Sequence, residues 1–96
     1  MKPSEALAVH RDKLLAIAAE HGASNLRVFG SVVKGIDKDG SDIDLLVDIR
    51  KGTSLFELVG MQQDFEETLG VKVDLLTEPE LHPEIKERIL SEACPV

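Results

Sequence analysis

The sequence predicts an α/β chain of the α+β type, a small mixed β-sheet covered by helices. Three observations point to it. Segments 42–49 and 71–76 carry apolar side chains at every second position, the period of a half-buried strand. Segments 4–21, 54–69 and 83–93 repeat apolar residues at helical spacing. The two kinds of segment alternate along the chain, so helices and sheet share one layered core.

A helix is expected over 4–21. Pro3 and Ser4 form its start signal, Leu7, Arg11, Leu14, Ala18 and His21 follow one stripe, and Gly22 suits the C-cap. Residues 26–30 read as a short strand. Residues 31–35 suit a single helical turn, and 36–41 a flexible polar loop with Asp37, Lys38, Asp39 and Gly40. Over 42–49, Ile43, Leu45, Val47 and Ile49 share one face, and Asp42, Asp44, Leu46 and Asp48 share the other. Arg50, Lys51 and Gly52 turn the chain. Ser54 and Glu57 make a capping box for helix 54–69, Leu58, Met61, Phe65 and Leu69 line its inner face, and Gly70 ends it. In 71–76, Val71, Val73 and Leu75 alternate with Asp74. Thr77 and Glu80 make a second capping box, and Ile85, Ile89 and Ala93 mark a closing amphipathic helix. Ninety-six residues suffice for one domain, 1–96.

Composition narrows the function. The net charge of −7 disfavours a nucleic-acid partner, which normally meets a basic surface. Three Phe with no Trp or Tyr leave little for base stacking. No segment approaches the ~18 apolar residues of a membrane span, and no apolar leader opens the chain. Cys94 is the single cysteine, which fits a reducing, cytoplasmic setting.

The chemistry concentrates between Gly30 and Asp74. Asp42 and Asp44 leave one face of a strand with Cα atoms roughly 6–7 Å apart. Carboxylates that close raise one another's pKa, and a fold keeps them most readily around a cation. Hard oxygen donors favour Mg²⁺ or Mn²⁺. Asp74 has the same parity on another strand, so pairing of the strands would bring three carboxylates to one face. Such a set can carry two metal ions for in-line displacement at phosphorus. Gly30 ends a strand where a missing Cβ lets phosphate approach, and Ser31 offers a hydroxyl and an amide.

Other motifs fail. Gly30 and Gly35 are not followed by Lys-Ser or Lys-Thr as in a P-loop, and Gly-x-Gly-x-x-Gly is absent. Asp37, Asp39 and Ser41 open like a calcium loop, but Asp42 replaces the sixth-position glycine and no Glu stands at the twelfth. His10, His21 and His82 are scattered, without zinc spacing. Asp48 and Lys34 read as solvated surface charge, and Cys94 as a packing residue or bystander without a base to activate it.

Gly30-Ser31, ten intervening residues, then Asp42-Ile43-Asp44 resembles the signature of the polymerase-beta-type nucleotidyltransferase superfamily. The stretches RVFGSVVKGIDKDGSDIDLLVD and GTSLFELVGMQQDFEETLGVKVDLLTE, with the ending around LHPEIKERILSEA, are similar to its minimal nucleotidyltransferases. The resemblance covers nearly the whole chain. It implies the nucleotidyltransferase fold, ATP as substrate, and Mg²⁺, with two ions held by Asp42, Asp44 and Asp74. Gly30 and Ser31 would hold the triphosphate, and Asp74 would also help deprotonate the acceptor. Many such proteins are antitoxins paired with a HEPN-domain ribonuclease toxin, and some transfer AMP to a toxin tyrosine. Lys34 stands where Arg is more usual, and Ile36 where a charged residue is common. Two other readings remain at this level: a non-catalytic antitoxin whose acidic surface docks on a basic toxin, and nucleotidyl transfer to a small molecule.

Overall fold

The computed structural model describes residues 1–96. Its elements are α1 (Pro3–Val9), α2 (Arg11–Glu20), β1 (Ala23–Phe29), β2 (Ile43–Ile49), α3 (Leu55–Leu69), β3 (Val73–Thr77), α4 (Pro83–Glu92) and β4 (Cys94–Pro95), with a 3₁₀ turn at Glu78–Glu80. The strands form one mixed sheet in the order β3-β2-β1-β4. β1 is antiparallel to both β2 and β4, and β2 is parallel to β3. The α3 crossover joins the two parallel strands.

Two apolar layers enclose the sheet. On one face Leu7, Leu14, Ile17, Met61 and Phe65 pack on Val28, Ile43, Leu45 and Val73. On the other, Phe29 and Leu46 meet Leu81 and Ile89. Ile43, Leu45, Leu46 and Val47 are all fully buried, so β2 is the centre of the molecule. The second layer modifies the alternation read from 42–49: Leu46 lies on the carboxylate side, yet α4 and the preceding turn cover it.

Several boundaries differ from the sequence expectation. The helix expected over 4–21 is two helices, broken at His10 (φ −102, ψ 14). Val9 and His10 have low helix propensity. Tertiary ties act on both sides of the break: the Asp37 carboxylate accepts from the Ser4 N–H at 2.9 Å, and Arg11 Nε donates to the Val96 carbonyl at 3.0 Å. The strand expected at 26–30 begins at Ala23, because a bulge between Ser24 and Arg27 inserts one residue, with Asn25 at φ +51. Thr77 and Glu80 do form a capping box, but for the 3₁₀ turn; α4 is capped by His82, whose Nδ1 accepts from the Glu84 N–H. Beyond the closing helix, Cys94 and Pro95 pair with β1 as β4. Ser54 caps α3 by accepting from the Glu57 N–H, and Gly70 closes the helix at φ +71.

β3 is an edge strand. In a parallel ladder alternate residues address one neighbour. Lys72 offers its carbonyl to Ile43, so the amides of Val73, Leu75 and Thr77 point away from β2. The Val73 N–H donates to Glu66 Oε2 at 2.9 Å, and the Thr77 N–H to Glu80 Oε1 at 3.1 Å.

His21 ties α2 to α3. Its Nδ1 lies 2.6 Å from Glu57 and its Nε2 2.9 Å from Asp64, at the carbonyl-rich end of α2. Hydrogen bonds to Asp64 and then Glu57 raise its pKa above 6.5, against a smaller opposing effect of burial. Stability from the protonated ring is therefore fully present below pH 6.5 and is lost as pH rises through the folded-state value. The melting temperature of the wild type should fall over that window, and that of His21→Gln should stay flatter. Parallel profiles for the two proteins would remove His21 as the cause.

Candidate active site

Asp44 sits one residue into β2 and is flanked on both sides in the sheet. Its register partners are Phe29 at the end of β1 and Asp74 near the start of β3. Direct opposition on parallel strands places Asp44 and Asp74 on the same face, with backbones roughly 4.8 Å apart. Asp42 lies just before β2 and is exposed, while Asp44 and Asp74 are half-buried. The parity argument thus brings Asp44 and Asp74 side by side, and Asp42 stands at the rim.

The pair is electrostatically loaded. Burial raises the Asp44 pKa, as do the charge of Asp74, a hydrogen bond with Asp74 and the charge of Asp42. The nearest cation is Lys72, whose Nζ is 4.0 Å from Asp74 Oδ1. Gly30 follows β1 and turns the chain at φ +76; a Cβ built there would collide with the Asp44 carboxylate. Glycine therefore serves twice, permitting a left-handed backbone and clearing space for the acid. Gly30→Ala should cost about 1–2 kcal/mol through the backbone alone, and Asp44 must also move. Thermal denaturation would show it, and wild-type stability would contradict it.

The segment after Gly30 is a run of turns rather than a regular helix, closed by bonds from the Lys34 amide to the Gly30 carbonyl and from the Ile36 amide to the Ser31 carbonyl. Ser31 is half-buried at its start, and Lys34 is exposed. The 36–41 loop, expected to be flexible, is anchored. Asp37 is 8% exposed and accepts from Ser4 at the start of α1, and the Lys38 N–H donates to Ser41 Oγ. The Ser4 hydrogen bonds hold the Asp37 carboxyl below the usual range, so this anchor weakens as pH falls. No feature of spacing marked Asp37 as a helix cap, because Ser4 is 33 residues away. Asp48 is also more than surface charge: it accepts from Arg27 Nη2 at 2.7 Å and from Asn25 at 3.1 Å.

The donor set suits Mg²⁺. It is all oxygen and anionic, and the carboxylates repel one another until a cation joins them. No group of three His, Cys, Asp or Glu side chains is gathered closely enough to hold a metal ion: Asp44 and Asp74 are neighbours, and Asp42 does not join them. The Asp74 side chain is 45% exposed, and the surface grooves, between α2 and α3, around Arg50–Ser54, and beside Asp48 and Glu78, include neither it nor Asp44.

The nucleotidyltransferase domain model matches residues 11–94, a span that contains every residue of this constellation. The chain belongs to the nucleotidyltransferase domain family. This nucleotidyltransferase is 37% identical over 71 residues to the protein adenylyltransferase MntA of Thermococcus cleftensis, covering 74% of this chain and 72% of the relative. A solved structure described as a candidate minimal nucleotidyltransferase superposes with a TM-score of 0.86 at 40% identity, over 97% of this chain and 95% of the other. A toxin–antitoxin crystal structure with AMP-PNP shares the fold at a TM-score of 0.74 and 17% identity, over 88% of this chain and 69% of that one. No helix here is long and apolar enough to cross a membrane.

Proposed function

We propose that this nucleotidyltransferase is a Mg²⁺-dependent protein adenylyltransferase, an antitoxin that moves AMP from ATP to a tyrosine hydroxyl of a HEPN ribonuclease toxin in the cytoplasm. The observation that carries this reading is the register of Asp44 against Asp74, with Asp42 upstream and the Cβ-free Gly30 against Asp44. Gly30 and Ser31 would hold the triphosphate, and Asp42, Asp44 and Asp74 two Mg²⁺ ions. Bound Mg²⁺ supplies charge neutralisation at the phosphate oxygens and favours the ionised acceptor. The acceptor oxygen attacks the α-phosphorus, and its proton passes to Asp74. The new O–P bond forms as the α–β bridging bond breaks, and pyrophosphate leaves with that electron pair.

Two features favour a macromolecular acceptor. The carboxylate face is open, so a docked surface can complete it. The charge of −7 suits a basic ribonuclease. The adenylyltransferase name of the Thermococcus relative and the toxin–antitoxin neighbour support the same direction.

The test is incubation of the protein with α-labelled ATP, Mg²⁺ and the purified toxin encoded beside it. Label should move to a toxin tyrosine, and Asp42→Ala/Asp44→Ala should abolish the transfer. No transfer by the wild type, or equal transfer by the variant, would overturn the reading. The acidic charge also favours neutralisation by docking alone. Co-expression separates the two: an Asp42, Asp44 and Asp74 triple alanine variant that protects cells fully would make docking sufficient.

A further inference from the structure

The outer face of α3 carries the most exposed apolar side chains of any helix. Phe56 is 89% exposed, Leu55 74% and Val59 44%. Met61, Phe65 and Leu69, further along the same helix, are buried on its opposite side. The polar groups that might have covered the outer side are engaged elsewhere: Glu57 and Asp64 with His21, and Glu66 with the Val73 amide. Phe56, Gln63 and Glu67 fall within roughly 40° of arc, with Val59 and Gly60 on either side. From Leu55 to Gln63 this face presents no free charge.

Charge returns at the two ends with opposite signs. Lys51 precedes the helix, Glu67 lies near its end, and both are exposed without an ion-pair partner in the chain. A uniformly basic partner would be repelled by Lys51, and a uniformly acidic one by Glu67. An antiparallel copy of the same helix satisfies both. A two-fold axis near Val59 and Gly60 sets Phe56 against the partner's Gln63 and brings Lys51 alongside the partner's Glu67. Opposed helix dipoles favour the arrangement.

We propose that the outer face of α3 is a self-association surface on which a second copy of this chain packs antiparallel. The patch is small beside the ~1,200 Å² or more of a stable specific interface, so the dimer dissociates on dilution. α3 covers the sheet face opposite Asp44 and Asp74, and both carboxylate faces stay open in the pair. The inference is independent of the reaction proposed above.

Sedimentation velocity on the metal-free protein over a concentration series tests it. The wild type should move from the 10.5 kDa of one chain towards twice that mass as concentration rises. Phe56→Glu should remain a monomer throughout. Lys51→Glu should weaken association at least severalfold, and Lys51→Glu/Glu67→Lys should restore it. All these positions are exposed, and circular dichroism checks that each variant is folded. A wild type that stays monomeric at the highest concentration overturns the proposal. So does a dimer unaffected by Phe56→Glu, or a double variant that associates no better than Lys51→Glu.

Discussion

Asp44→Asn should lose nucleotidyl transfer by about a hundredfold or more and, in metal-free buffer, melt at a higher temperature than the wild type. The first effect would follow from losing one of the carboxylates proposed to hold Mg²⁺ against the reacting phosphate, since removing one group that stabilises transition-state charge typically costs about 10²–10³. The second follows from the direction of its pKa. Burial and the neighbouring Asp74 raise the Asp44 value above 3.8. An acid raised in this way favours folding while protonated, and that contribution is lost as pH rises through the folded-state pKa. At neutral pH the ionised group therefore burdens the fold, and Asn relieves the repulsion. The stability gain should vanish in acid, where the wild-type carboxyl is already neutral. Thermal melts at both pH values together with an activity assay give the answer. A variant that stays active, or that melts several degrees below the wild type at neutral pH, would contradict the assignment.

Phe65→Ala should be the most damaging single truncation. The ring is fully buried among Met61, Leu69, Val73 and the residues of α2, where it joins α3 to the sheet. Loss of a buried Phe costs about 3–5 kcal/mol, against a total of about 5–15 kcal/mol for a typical protein. The melting temperature should fall by roughly 12 °C or more, at about 4 °C or more per kcal/mol for a domain of this size. Phe56→Ala, on the opposite side of the same helix, should stay within about 0.5 kcal/mol of the wild type in dilute solution. Denaturant titration compares the two, and equal losses would mean that α3 is not docked through its Phe65 face.

The alternation in 42–49 and 71–76 was enough to place Asp44 and Asp74 on one side of their strands, since parity is local. Their adjacency needs the parallel pairing, and the α3 crossover made that the natural arrangement. Asp42 shares the parity but precedes the first ladder residue and is exposed, a matter of where β2 begins. Contacts over long separations left no local trace. Asp37 capping α1, Arg27 drawing in Asp48, and β4 pairing with β1 all depend on chain segments meeting in space. Leu46 illustrates the same limit: periodicity gave its side, but only the return of α4 across the sheet decided that this side was closed. The break at His10 had a weak local signal in Val-His, outweighed by a stripe that runs through it.

The edge of β3 has a consequence for the protein in crowded solution. Glu66 and Glu80 occupy the outward amides of Val73 and Thr77, leaving Leu75 between them as the open donor. A stray extended chain would have to displace two carboxylates before it could zip along the strand, and its own carbonyls would face their charge. The sheet thus ends beside Asp74 in a margin guarded by two carboxylates. An incoming chain is thereby opposed in becoming the next strand of a growing fibre at this edge.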